Sequence, residues 1–316
     1  MANVETARPA SAVALERPAR RRRPFSVSAY LYILPAVAFA AVFLYVPSFS
    51  AIVHAFTDWD GASPPTFIGL GNFQQMVGDP QMQRSFSNVL KLTGFALLVE
   101  LTVPLAVAKL ILALRSPRLQ HYFRVLFLLP AVVPLPLIAL IWLYIYDPNV
   151  GLLNAGLKAL HLGFIQQDWL GNPNFALYAI MFMGFPWVDG FGMLIYTAGL
   201  QAIPQEVLES THIDGASAWT RFLRIELPLI MGQFRLMSVL TIINGIQQFA
   251  IVLILTNGGP AFATYVPGLT MYNDAFYYNR MGYACAIGVS IFIVILVLTI
   301  INLRYVRSAT EYEVAR

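Results

Sequence analysis

Charge is what this sequence has least of: Asp, Glu, Lys and Arg make up 11% of its 316 residues. A soluble domain carries about 25%, so this chain cannot build a water-facing surface of ordinary extent. Cysteine is nearly absent too. The single Cys285 lies in an apolar run, which excludes an intrachain disulfide and a thiol metal cluster. By itself it reads as a small core residue. Lysine is confined to Lys91, Lys109 and Lys158. None completes a Gly-x-x-x-x-Gly-Lys-Ser/Thr phosphate loop, so the chain carries no ATPase motif of its own. The four histidines (His54, His121, His161, His212) are scattered without ligand spacing, and no metal site is expected. With no clustered His, Cys or acidic motif, a membrane-embedded enzyme ranks last among the functions.

What is present is hydrocarbon. Hydrophobic residues make up 58% of the chain, and mean hydropathy is +0.65. Tyr30–Phe56 and Ala284–Leu303 contain no Asp, Glu, Lys or Arg. Each exceeds the roughly 20 residues that cross about 30 Å of hydrocarbon as a helix. Twelve Ile, Val, Leu or Phe lie between Cys285 and Ile301, favouring insertion by roughly 4 to 7 kcal/mol. Hydropathy and turn residues together predict six spans, at about 29–56, 88–114, 123–146, 175–203, 229–256 and 283–304. Turn-rich or charged segments separate them, among them Asp58–Gly61, Arg115–Pro117 and Asn257–Pro260. Prolines inside the spans (Pro35, Pro104, Pro134, Pro186) are of the kind that membrane helices tolerate.

Residues 1–28 hold Arg8, Arg17 and Arg20 to Arg23 among Ala, Pro and Ser, and read as a disordered basic cytoplasmic tail. Because it runs straight into a span, it is not read as a nucleic-acid arm. A cleaved signal peptide is the rival, but the apolar run outlasts a signal core. With the N-terminus inside, sixteen Lys or Arg fall on the cytoplasmic side. Arg84, Lys91, Lys158 and Arg280 fall on the other side. This bias places both termini, including a short tail 307–316, in the cytoplasm of a multi-pass protein.

The cytoplasmic segment 204–228 carries the most specific pattern. Pro204 suits a helix start, Glu206 and Glu209 favour its N-terminal end, and Gly215 allows a swivel into a second short helix. Trp219, Phe222, Leu223 and Ile225 then supply an apolar side, and Pro228 suits the first turn of the next span. Glu209-Ser-Thr, Gly215 and Ile225-x-Leu-Pro228 resemble, in spacing throughout, the EAA loop of permease subunits of bacterial ATP-binding-cassette importers. Ser210 and Thr211 stand where that motif has two alanines. Ile213-Asp-Gly-Ala216 has the form typical of the carbohydrate branch, the maltose and glycerol-phosphate type of sugar permease. Phe67–Phe73, Gly151–Asn154, Ala198–Pro204 and Leu255–Pro260 extend the resemblance over roughly Tyr30 to Tyr305.

The resemblance implies an all-α membrane fold of about six helices, the type I importer permease fold, with a cytoplasmic coupling helix. It implies a sugar permease in a bacterial or archaeal cytoplasmic membrane that binds no cofactor itself. Its partners would be a second homologous permease, two ATPase subunits that use ATP and Mg, and an extracytoplasmic sugar-binding protein. Glu209, Gly215, Ala216, Trp219 and Phe222 are the expected contacts to the ATPase. The alternative is an ordinary amphipathic loop on the lipid headgroups.

Ionisable and polar groups inside a membrane are functional candidates. Asp189 lies mid-span in Phe185-Pro-Trp-Val-Asp-Gly-Phe191, and Thr241, Asn244, Gln247 and Gln248 share one helical face. Their amides and carboxylate suit sugar hydroxyls, and Trp187 or Phe191 could offer a ring to a pyranose. Thr241, Asn244, Gln247, Gln248, Asp189, Trp187 and Phe191 are therefore the expected substrate pathway. Helix-to-helix bonding is the competing use of the same residues, and the one expected for Glu100. An ion-coupled secondary transporter or channel with Asp189 and Glu100 as coupling carboxylates is the second functional reading.

Overall fold

A computed structural model describes residues 27–306. The expected basic tail, apart from its last two positions, and the expected tail 307–316 lie outside the described residues. The chain divides into two units, one ending at Ser48 and one beginning at Phe49.

The first unit is helical from Val27. Helix α1 (Val27–Ala40) passes through a widened π turn, Ala41–Tyr45, into α2 (Val46–His54). Pro47 explains the widening. Its ring would meet the carbonyl four residues back and it has no N–H to donate, so an extra residue in the turn relieves both problems. The Val46 N–H accordingly reaches the Ala41 carbonyl, five residues back.

In the second unit, the end of α2 is followed by a short hairpin, β1 (Thr57–Asp58) against β2 (Thr66–Phe67), antiparallel with Thr57 opposite Phe67. Then follow α3 (Gly71–Gly78) and the long α4 (Pro80–Ala113). Helix α4 starts at Pro80, where Asp79 caps it by accepting from the Gln81 N–H at 2.8 Å. That is eight residues before the expected span 88–114. The early turns carry Gln81, Arg84, Ser85 and Asn88, which a hydropathy scan reads as watery. Ser85 and Asn88 are buried in the protein instead.

Three expected rods are interrupted. Helix α5 (Pro117–Leu128) passes through a 3-10 turn, Leu129–Val132, and α6 (Leu135–Ile145) leaves at 91°. Pro130, Pro134 and Pro136 remove three donors within seven residues there. Helix α7 (Leu152–Ala159) is followed by α8 (Ala176–Phe182) and α9 (Gly190–Gln201). Between those two, Gly184 (φ +87°), Pro186 and Trp187 (φ +57°) form a loop. Asp189 caps α9, accepting from the N–H groups of Phe191 (3.1 Å) and Gly192 (2.7 Å).

Segment 204–228 folds as α10 (Gln205–Ile213) and α11 (Ala218–Arg221), then a second π turn, Phe222–Glu226, and α12 (Leu227–Leu229). This π turn ends two residues before Pro228, as the first ends two before Pro47, and the same clash explains it. Helix α13 (Met231–Gln247) departs at 69° and stops before α14 (Ala250–Leu255). Helices α15 (Pro267–Phe276) and α16 (Met281–Tyr305) complete the unit.

In lipid, tails are as apolar as leucine, so helices are held by close packing and polar ties, each tie worth about 0.6 to 2 kcal/mol. One buried cluster joins Leu105 of α4, Met193 and Tyr196 of α9, and Ile230 and Met237 around α13. A second joins Val89, Val252, Val266 and Leu269. A third joins Met82, Ile246, Tyr283 and Ile287. Asparagines are the ties: Asn88 donates to the carbonyls of Ala263 and Tyr265, both at 3.0 Å. Asn302 donates to Ser238 Oγ at 2.7 Å.

Candidate functional site

The helix interruptions converge on one cavity of about 390 Å³. Its wall comprises Phe95, Val99 and Glu100 from α4, Leu135 at the start of α6, and Gly184, Trp187 and Asp189 from the α8–α9 loop. Thr241, Asn244 and Gly245 on α13 and Gln248 in the α13–α14 break complete its polar side. Discontinuous helices suit a site at membrane depth, because irregular backbone is tolerated there where it lines a cavity.

Five of the seven residues expected in the substrate pathway meet here: Trp187, Asp189, Thr241, Asn244 and Gln248. Phe191 and Gln247 are not part of the wall. Phe191 is 58% exposed on α9, and Gln247 is exposed at the end of α13. Gln247 closes α13, and it is Gln248, in extended backbone just beyond the helix, that lines the cavity.

The polar residues divide by what they already bond. Thr241 Oγ1 donates to Glu100 Oε2 at 2.7 Å, tying α13 to α4. Glu100 thus makes its expected helix-to-helix bond and also faces the cavity. Both Asp189 oxygens accept from the backbone of α9. Among the described residues, the side-chain amides of Asn244 and Gln248 bond no protein group. That sets them apart from the asparagine ties. Trp187 is held by its Nε1–H on the Met181 carbonyl (3.2 Å) and by edge contacts with Phe95, Phe182 and Phe185.

Loop 204–228 presents a different surface. Glu209 and Gly215 are exposed, Ala216 is half-buried, and Trp219 is 69% exposed beside Ile213 at 88%. Gly215 has φ +69°, and no atom lies within 4 Å of where a Cβ would be. Phe222 turns inward, packing against the cluster of Leu105 and Met193. Next to it is a residue that sequence reasoning passed over. Glu226 is 2% exposed, and its carboxylate pairs with Lys109 of α4 and with Arg221 Nε at 3.0 Å. A carboxylate within Arg224-Ile-Glu-Leu-Pro228, flanked by apolar residues, was the available signal.

A bundle of apolar helices, a cavity among helix breaks and a structured loop define the class: a polytopic membrane protein. Residues 101–310 match the family model of the binding-protein-dependent transport system inner membrane component. The chain belongs to that family. It is 34% identical over 308 residues to the diacetylchitobiose uptake system permease protein NgcF of Streptomyces coelicolor, covering 94% of this chain and 87% of that one. It is 30% identical over 283 residues to the probable ABC transporter permease protein YurN of Bacillus subtilis, covering 89% and 97%. Among solved structures, a chain of a bacterial ABC transporter involved in the import of the acidic polysaccharide alginate superposes with a TM-score of 0.77. Identity there is 23%, and coverage is 89% of this chain and 95% of that one. The fold is therefore that of an ABC importer permease, the type I fold.

Proposed function

We propose that the chain is one permease subunit of an ATP-driven, binding-protein-dependent sugar importer in a cytoplasmic membrane. It forms half of the translocation pathway and draws energy from a separate ATPase. The observation that carries the sugar reading is the pair of amides, Asn244 and Gln248, facing the cavity with no bond to the protein. A helix tie would have spent them on a neighbour. An amide both donates and accepts, which matches a hydroxyl, and the braced Trp187 ring adds an apolar face for a pyranose. The diacetylchitobiose system among its relatives favours a saccharide of more than one ring.

In this reading Asn244, Gln248 and Trp187 contact the sugar, while Asp189 and Glu100 keep their helix bonds and offer remaining lone pairs. Phe191 and Gln247, outside the wall, are left out. The loop 204–228 meets the ATPase through Glu209, Gly215, Ala216 and Trp219, with Phe222 anchoring it from behind. A second homologous permease, two ATPase subunits using ATP and Mg, and an extracytoplasmic sugar-binding protein complete the assembly. Both termini lie in the cytoplasm, as the sixteen-to-four distribution of Lys and Arg supports.

The test is transport in proteoliposomes holding the whole assembly, across a panel of sugars. Losing one uncharged hydrogen bond costs about 0.5 to 1.5 kcal/mol, or roughly 2- to 12-fold. Asn244→Ala and Gln248→Ala should each slow translocation by about that factor at saturating binding protein. Wild-type rates in both variants for every transported sugar would reject the pocket.

A further inference from the structure

Glu226 belongs to neither the cavity nor the exposed face of the loop, and it is more buried than any carboxylate of those two regions. Its two oxygens are divided between two cations from different elements. Lys109, in the last turns of α4, pairs with Oε2. Arg221, at the end of α11, pairs through Nε with Oε1 at 3.0 Å. Arg221 Nη1 also meets His212 Nε2 near the end of α10. The Lys109 ammonium lies 5.8 Å from the centre of the Phe222 ring. One carboxylate therefore gathers both short helices of the loop and the cytoplasmic end of α4.

The π turn makes this geometry. One extra residue before Pro228 changes the facing of everything upstream by about 100°. Glu226 is the last residue of the widened segment, and the turn leaves it facing inward to Lys109. The helix that Lys109 anchors is the one that reaches the cavity. Glu100 lies nine residues earlier on α4, roughly 13 Å along the axis at 1.5 Å per residue. There it accepts from Thr241 of α13 at the cavity wall.

We infer that Glu226 is a positioning residue that fastens the coupling loop to α4. A displacement delivered to exposed Ile213 and Trp219 is then passed to the cavity wall rather than absorbed within the loop. Glu226 touches neither sugar nor nucleotide in this scheme. The inference rests on reading 204–228 as the coupling element, so the experiment separates the two.

In proteoliposomes holding the complete assembly, sugar moved per ATP hydrolysed is measured for Glu226→Gln, Lys109→Met, their double variant, Lys109→Arg and Trp219→Ala. Coupling networks of this kind change by about 2- to 30-fold on mutation. Glu226→Gln and Lys109→Met should each lower the ratio within that range. The double variant should be no worse than Glu226→Gln, because Lys109→Met removes a link that Glu226→Gln has already removed. Lys109→Arg, which keeps the charge, should recover most of what Lys109→Met loses. Lys109 is partly exposed, so its variants keep the test alive if Glu226→Gln fails to assemble. Full coupling in Glu226→Gln and Lys109→Met, with loss in Trp219→Ala, would overturn the fastening role alone. Additive losses in the double variant would overturn it as well. Full coupling in all of them would overturn the coupling reading beneath it.

Discussion

Gly215 separates backbone conformation from side-chain contact more cleanly than any other position in the loop. Its φ is +69°, and a Cβ there would meet nothing within 4 Å. A substitution therefore adds no clash with the rest of the chain; what changes is the cost of the left-handed backbone. For an L-residue with a Cβ that cost is about 1 to 2 kcal/mol, and Asn escapes much of it. One to two kcal/mol is a factor of about 5 to 30 in the population of the turn that joins α10 to α11. Coupling should thus fall in the order Gly, Asn, Ala, Val, with the β-branched residue worst. The assay is sugar moved per ATP hydrolysed in proteoliposomes, with membrane insertion followed in parallel. Insertion should be unchanged, because the position is exposed and outside every buried cluster. Wild-type coupling in Gly215→Val would refute the reasoning, and so would Gly215→Asn as damaging as Gly215→Val.

Two further outcomes follow from packing and charge. A Cβ on Gly245 would lie 2.8 Å from Thr93 Oγ1 where α13 crosses α4. Gly245→Val should therefore lower the thermal midpoint in detergent, at an overpacking cost of about 1 to 3 kcal/mol; an unchanged midpoint would show that the helices part freely. In the loop after β1, the N–H groups of Ala62 (2.9 Å) and Ser63 (2.7 Å) donate to Asp60 Oδ1. These bonds hold its carboxyl below the ordinary aspartate value of 3.8. A depressed acid stabilises its turn above the unfolded pKa and loses that support as pH falls through the lower, folded value. Carboxyl-carbon NMR should find Asp60 still ionised at pH 3.8; half-protonation there would remove the capping account.

The membrane class and the loop were legible because both depend on local sequence. An uncharged run such as Ala284–Leu303 has few alternatives to crossing lipid, and the spacing from Glu209 through Gly215 to Pro228 is read without knowing any partner. Helix limits were less legible. Asn88 looks hydrophilic until the carbonyls of Ala263 and Tyr265 are known to receive it, so hydropathy starts α4 too late. The prolines near 130–136 and at 186 were visible, but tolerance of proline in membrane helices did not reveal that Gly184 and Trp187 would open the rod entirely. Asp189 was visible as an intramembrane acid, whereas its capping of α9 depends on that opening. The pairing of Glu226 with Lys109 spans 117 positions, which no periodicity encodes. Nor can sequence tell a bonded amide such as Asn88 from a free one such as Asn244.

Sidedness of the loop tests the account most directly. In a Cys285→Ser background the chain is free of cysteine, so single cysteines introduced by Trp219→Cys and Ser63→Cys report on opposite faces. A membrane-impermeant maleimide added to intact cells should label Ser63→Cys at once, and Trp219→Cys after permeabilisation alone. Labelling of Trp219→Cys from the outside would contradict a loop that takes its motion from a cytoplasmic ATPase.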